Sequence, residues 1–175
     1  MIKTITVSLR MSKGPILASI IFFAVGFIIG LFSKEGFSVT AYASSTNVLE
    51  LLKNNVTVCL LMASGFFSFG LLSMFYLMSN GFILSGSIIE SLQNGVPLYQ
   101  IGFLLLPHGI FEIPALLLSG SIGFKSLEMI WKLCFANTKG VLLDLFKHMM
   151  ILTLLIGCLL VTASIIEIYV TPLFK

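Results

Sequence analysis

From Asn54 to Phe124 the chain carries only two charged side chains, Glu90 and Glu112. A soluble domain carries about 25% charged residues, whereas this chain of 175 residues has 10%, is 58% hydrophobic and has a mean hydropathy of +1.10. It reads as an integral membrane protein whose first partner is the lipid bilayer. The apolar content is spread over several long segments. This predicts one all-α, polytopic helical membrane domain covering 1–175.

The placement of the charges says more than the net value of +3. Lys3, Arg10 and Lys13 precede the first apolar run, and Lys125, Lys132, Lys139 and Lys147 lie between two later runs against only Glu128 and Asp144. Nucleic-acid binding needs a dense basic patch, and the chain has none, so these charges read as topology signals. Positive-inside counting puts the N-terminus and segment 125–147 in the cytoplasm and the C-terminus outside. Cys59, Cys134 and Cys158 are widely spaced in apolar surroundings without CxxC or metal-ligand spacing. They are expected to be buried small hydrophobes, with no disulfide framework.

The first span is expected over 15–33, with Pro15 at its start and Gly26–Gly30 as a GxxxG pattern admitting another helix backbone. The basic leader also has the look of a signal peptide, with Ala41-Tyr42-Ala43 as a weak cleavage site, but the segment is read as a retained span. Residues 34–53 form a polar connection, where Thr46 or Asn47 caps a short helix at Val48–Leu52. Span two is expected over 55–78, and Asn80-Gly81 reads as a turn. Residues 82–93 form a short span or one arm of a re-entrant hairpin, and Gln93–Pro97 a turn. Residues 98–124 are long enough to cross but carry Pro107 and Gly109. Proline removes a backbone donor and clashes with the preceding turn, so two half-helices, 98–106 and 110–123, are expected. Residues 125–147 read as an interfacial amphipathic segment broken near Asn137–Gly140, or as a partner-docking face. The last span is 149–170, which makes about five.

The stretch Pro107-His108-Gly109-Ile110-Phe111-Glu112 carries the chemistry. Ionisable groups are costly at bilayer depth, so such a cluster is a candidate functional site. A helix break at that depth survives only when buried in protein or beside a water-filled cavity. In one reading His108 and Glu112 satisfy backbone groups freed by Pro107, Gly109 and Pro114, with Asn80 or Asn55 as partners. In a second they handle a proton or a substrate, since broken helices build transporter sites. In a third they hold a metal, but one His and one Glu are too few ligands unless Glu90 or Glu167 joins them. Glu90 reads as a solvated carboxylate at the outer interface, and Glu167 as a capping or interfacial one. No HExxH, GxSxG or Walker motif is present. No catalytic residue, metal or cofactor is assigned.

Several phrases, in order, resemble the stage II sporulation protein M family of multispan bacterial membrane proteins. They are Asn55, Asn80-Gly81-Phe82-Ile83-Leu84 with Gly86, Pro107-His108-Gly109-Ile110-Phe111-Glu112-Ile113-Pro114-Ala115, Gly120 with Gly123, and Ile166-Glu167-Ile168-Tyr169-Val170-Thr171-Pro172. The resemblance covers about 50–172, and its proline-histidine-glycine phrase is the specific part. It implies a non-enzymatic protein of the bacterial cell membrane that organises partners in engulfment or envelope remodelling, with peptidoglycan hydrolases among them. A leader of only Met1–Lys13 departs from the sporulation member and points away from sporulation itself. The alternative is a membrane subunit of an ABC-type system for export of, or immunity to, a peptide such as a circular bacteriocin. An ATPase subunit would then dock on 125–147. A homo-oligomer through the small-residue faces is a further expectation.

Overall fold

The computed structural model describes residues 2–33, 47–135 and 141–174. The suggested cleavage site at 41–43 and the break at 137–140 lie outside the described residues. Among those described are six α-helices and no strand: α1 Ile2–Met11, α2 Lys13–Phe32, α3 Val48–Ala63, α4 Leu71–Gln93, α5 Leu98–Phe135 and α6 Val141–Tyr169. Short 3-10 turns follow α3 at Ser64–Ser68 and α6 at Thr171–Phe174. Five segments are long and apolar enough to cross a membrane: Lys13–Phe32, Val48–Ser68, Leu71–Gln93, Leu98–Lys132 and Leu143–Leu173. The expected all-α polytopic bundle of about five spans is the fold. Several boundaries and local features differ, each for a local reason.

Span two starts and ends earlier than 55–78. Asn47 caps α3 by accepting a 2.9 Å hydrogen bond from the Leu49 N–H, so the short helix expected at Val48–Leu52 is the first turns of the span. The chain reverses at Phe69 (φ 52°) and Gly70 (φ 86°), both left-handed. A side chain at Gly70 would run into the Phe124 ring, so glycine answers both the backbone conformation and the packing.

Asn80-Gly81 is not a turn, and 82–93 is neither a short span nor a re-entrant arm. Both belong to the 23-residue α4. A Cβ at Gly81 would collide with the Phe23 carbonyl of α2. From the other side, one at Gly26 would collide with the Met78 carbonyl, and one at Gly30 with Ser85. The GxxxG of α2 therefore has its partner within the chain, and the two helices run parallel with backbones nearly touching. This is how spans associate where lipid leaves no hydrophobic driving force between them.

The interruption at Pro107–Gly109 bends a helix without dividing it. α5 is one helix of 38 residues with Pro107 and Pro114 inside, in place of the two halves expected. Pro114 has no N–H to give the Ile110 carbonyl, so the turn between them holds one bond fewer than a regular helix. Nor is 125–147 a separate interfacial helix. Residues 125–135 continue α5, and those from Val141 on open α6. Lys125 is fully buried, with its Nζ 3.4 Å from a Glu128 carboxylate that also pairs with Lys132. Cys59 is buried as expected, but Cys134 and Cys158 are exposed on the outside of the bundle.

α5 lies at the centre. Its Ala115, Leu116, Leu118, Ile122 and Phe124 form the core with Met62 of α3, Leu77 of α4, and Leu152, Ile156 and Leu160 of α6. Successive spans alternate in direction, which gathers Arg10, Lys13, Lys125, Lys132 and Lys147 at one end. The opposite end carries Glu50, Lys53, Glu90 and Glu167. At the basic end α1 is tied to the root of α6 by a 2.9 Å hydrogen bond between Ser8 Oγ and His148 Nδ1.

Candidate functional site

Because α5 is continuous, His108 and Glu112 stand one turn apart on one face. That face meets α6 near its end, where Glu167 projects toward the pair. One ligand atom from each of His108, Glu112 and Glu167 lies within 4.8 Å of the other two, and all three side chains are half-buried. His108 lies ten residues along α5 from Leu98, roughly 15 Å of helix. The cluster thus sits inside the half of the bundle away from the basic end, about one turn before α6 gives way to the Thr171–Phe174 turn.

α3 forms the third wall. Its Cys59 adjoins Ser119 of α5 and lies within electrostatic range of Glu112. Asn55, one turn nearer the acidic end on the same face of α3, is 6% exposed. Four buried side-chain atoms lack a hydrogen-bond partner among the described residues: Asn55 Nδ2, His108 Nδ1, Ser119 Oγ and Ser164 Oγ. All four belong to α3, α5 and α6, the helices that enclose the cluster. Buried polar groups are normally paired, so these atoms mark a polar wall with unused bonding capacity.

Of the candidates read from the sequence, the structure joins His108, Glu112 and Glu167, and sets Asn55 in the adjoining wall. Asn80 does not serve as a partner: its Nδ2 donates to the Tyr76 carbonyl of its own helix at 2.7 Å. Glu90 lies in the last turn of α4 and is not in the cluster. The role of Glu167 as a mere capping or interfacial group gives way to a place opposite His108 and Glu112. Ser119 and Ser164 were not singled out by sequence, where a lone serine in an apolar run carries no signal. For Glu167 a signal existed. Two carboxylates in apolar helices, with no lysine or arginine near either in sequence, call for each other or for a cation.

The arrangement can share a proton between two carboxylates, hold a cation with mixed nitrogen and oxygen donors, or receive a cationic group of a substrate. Among the described residues no lysine or arginine pairs with Glu112 or Glu167; the ion pairs present are those of Lys125 and Lys132 with Glu128. A groove of about 410 Å³ opens at the basic end between Pro15, Phe22, Phe69, Met74, Phe124 and Leu127. Its walls are apolar except for Glu128, and it holds no comparable set of donors.

A family profile described as Stage II sporulation protein M matches residues 19–172. The chain is 37% identical over 172 residues to an uncharacterised protein of Methanocaldococcus jannaschii, covering 91% of this chain and 95% of that one. It is 33% identical over 129 residues to a second uncharacterised protein of the same organism, covering 69% of this chain and 53% of that longer one. No solved structure matches the chain.

Proposed function

This chain belongs to the stage II sporulation protein M family, and from that premise we propose that it is an envelope membrane protein that organises partner proteins. Membership in the family carries a non-enzymatic membrane role. The observation that supports a partner role is the length of α5. Its 38 residues span roughly 57 Å, against a hydrocarbon core of about 30 Å. With the first turns of α6 it continues past the core as a hairpin at the basic end. There Leu127, Trp131, Phe135, Leu143 and Phe146 stay exposed, and α1 braces the root through Ser8 and His148. A helix that only crosses the bilayer needs no such extension, and exposed aromatics at a polar rim suit protein contact.

The clustering of Arg10, Lys13, Lys125, Lys132 and Lys147 supports placing that hairpin in the cytoplasm with the C-terminus outside. A cysteine introduced at Asn94, in the turn between α4 and α5, should then react with an impermeant thiol reagent from outside. Reaction only after the membrane is opened would reverse the topology.

The partner role is tested by photo-crosslinking in cells from positions 131 and 146, with Phe75, exposed on the apolar flank of the bundle, as the lipid-facing control. Discrete protein adducts from the hairpin positions alone are expected. Lipid adducts from all three positions would remove the support for this reading. An ATPase subunit as the captured partner would replace it with the transport one.

A further inference from the structure

We propose that His108, Glu112 and Glu167 form a binding site for one divalent transition-metal cation, Zn²⁺ by its donor set, which ties α5 to α6 in the half of the bundle away from the basic end. The proposal is independent of the partner role. Its first support is geometric: an imidazole and two carboxylates from two helices bring one ligand atom each within 4.8 Å of one another. Around tetrahedral Zn²⁺, ligand nitrogens and oxygens at about 2.0–2.2 Å lie about 3.3–3.6 Å from one another. Side-chain adjustments of about an ångström therefore close the set. The turn carrying His108 and Glu112 has latitude for this, because Pro114 leaves the adjacent turn one hydrogen bond short.

Charge is the second support. Two ionised carboxylates side by side in an apolar bundle repel each other and lack solvent. A divalent cation with a neutral imidazole makes the site electrically neutral, and no lysine or arginine among the described residues does so. The third support is the orphaned atoms. His108 Nδ1 is a buried nitrogen without a partner among the described residues, and the imidazole therefore has bonding capacity that a cation or a carboxylate would take up. Asn55 is nine-tenths buried with a free Nδ2, and the register set by Cys59 beside Ser119 and Met62 beside Gly123 brings it level with Ala115, about one turn from Glu112. Its amide is the donor that would hold a ligating carboxylate in place, the kind of support metal ligands generally receive. The imidazole argues for a transition metal over Mg²⁺ or Ca²⁺, which take oxygen ligands.

The test uses the full chain in lipid nanodiscs, stripped with a chelator and titrated with Zn²⁺, with bound metal counted by mass spectrometry. The expected result is about one Zn²⁺ per chain, no competition by Mg²⁺ or Ca²⁺, and affinity weakened about tenfold or more by Glu112→Gln, Glu167→Gln or His108→Gln. Glu90→Gln should bind as wild type does. No bound Zn²⁺ in the wild type, as a carboxylate pair that merely shares a proton would give, overturns the proposal, and so does unchanged affinity in all three variants. Should the variants fail to fold, the Co²⁺ spectrum of the wild type decides. Nitrogen and oxygen ligation without a thiolate charge-transfer band is expected, and a thiolate band would assign the ion to Cys59 instead.

Discussion

Two parts of the bundle treat their polar atoms in opposite ways. Along the seam that joins α2 and α4, and at its contact with α3, each hydroxyl or amide has a carbonyl to donate to. Ser19 gives to Pro15 at 3.0 Å, Ser73 to Met62 at 2.7 Å, Asn80 to Tyr76 at 2.7 Å and Ser85 to Phe82 at 2.9 Å. The wall made by α3, α5 and α6 is as buried, yet Asn55, His108, Ser119 and Ser164 each hold an unpaired atom there. The seam is closed on itself: glycines bring backbones together, and short polar side chains are satisfied locally. The wall is left open to something else. Unpaired polar groups cost more in a low-dielectric interior than at a surface, so a chain that keeps His108, Ser164 and Asn55 unpaired in or near one cluster points to a ligand there.

The largest effect should come from filling the seam. Gly81→Val drives a branched side chain into the Phe23 carbonyl. Overpacking of this kind costs about 1–3 kcal/mol or more. With backbone as the obstacle the upper end is expected, read as a lowered thermal midpoint and loss of the monodisperse peak in detergent. A stable Gly81→Val protein would mean that α2 and α4 are not in contact.

Next is Lys125→Ala at the basic end. It empties a fully buried position and leaves Glu128 with Lys132 alone. Stripping a buried charge of its only partner costs about 3–5 kcal/mol. Because Lys132 remains, about 2 kcal/mol is expected, and Lys125→Met should recover part of it in the same thermal assay. A smaller loss follows Ser73→Ala, which removes the donor to the Met62 carbonyl. A hydrogen bond between membrane helices is worth about 0.6 kcal/mol on average and up to about 1.7.

Smallest of all, without metal, should be Glu112→Gln. It deletes a charge that sits beside Glu167 without an opposing lysine or arginine, so the apo protein should melt within about 0.5 kcal/mol of wild type or slightly above it. With Zn²⁺ present the order reverses. A ligand at a hundred times its Kd stabilises wild type by about 2.7 kcal/mol, and a tenfold or greater loss of affinity leaves Glu112→Gln about 1.4 kcal/mol of that or less.

The contrast between seam and wall was partly visible in the amino acids. Five apolar segments, the GxxxG at Gly26–Gly30, the turn at Gln93–Pro97 and the unusual His108–Glu112 stretch all stand out locally. Asn80-Gly81 misleads because the same dipeptide that makes a turn also makes a helix surface flat enough for another backbone. Only the presence of α2 decides between them. The real reversal at Phe69-Gly70 hides in a run of small residues that reads as a packing face. Pro107 and Gly109 imply a break if the helix is considered alone, but neighbouring helices hold α5 together through both prolines. The lysines of 125–147 read alone as the polar side of an interfacial helix. Lys125 is instead buried against Glu128, a contact that α5 supplies only by continuing. The site was half legible: His108 and Glu112 announce themselves by residue type, whereas the partnership of Glu167 depends on how α6 returns along α5.

The central claim is that the seam is architecture and the wall is a site. One comparison tests it most directly: the thermal midpoints of wild type, Gly81→Val and Glu112→Gln in nanodiscs, each with and without Zn²⁺. The expected result is a low midpoint for Gly81→Val in both conditions, and equal midpoints for wild type and Glu112→Gln that separate only when Zn²⁺ is added. A Glu112→Gln protein destabilised without metal, or raised by Zn²⁺ as far as wild type, would contradict it.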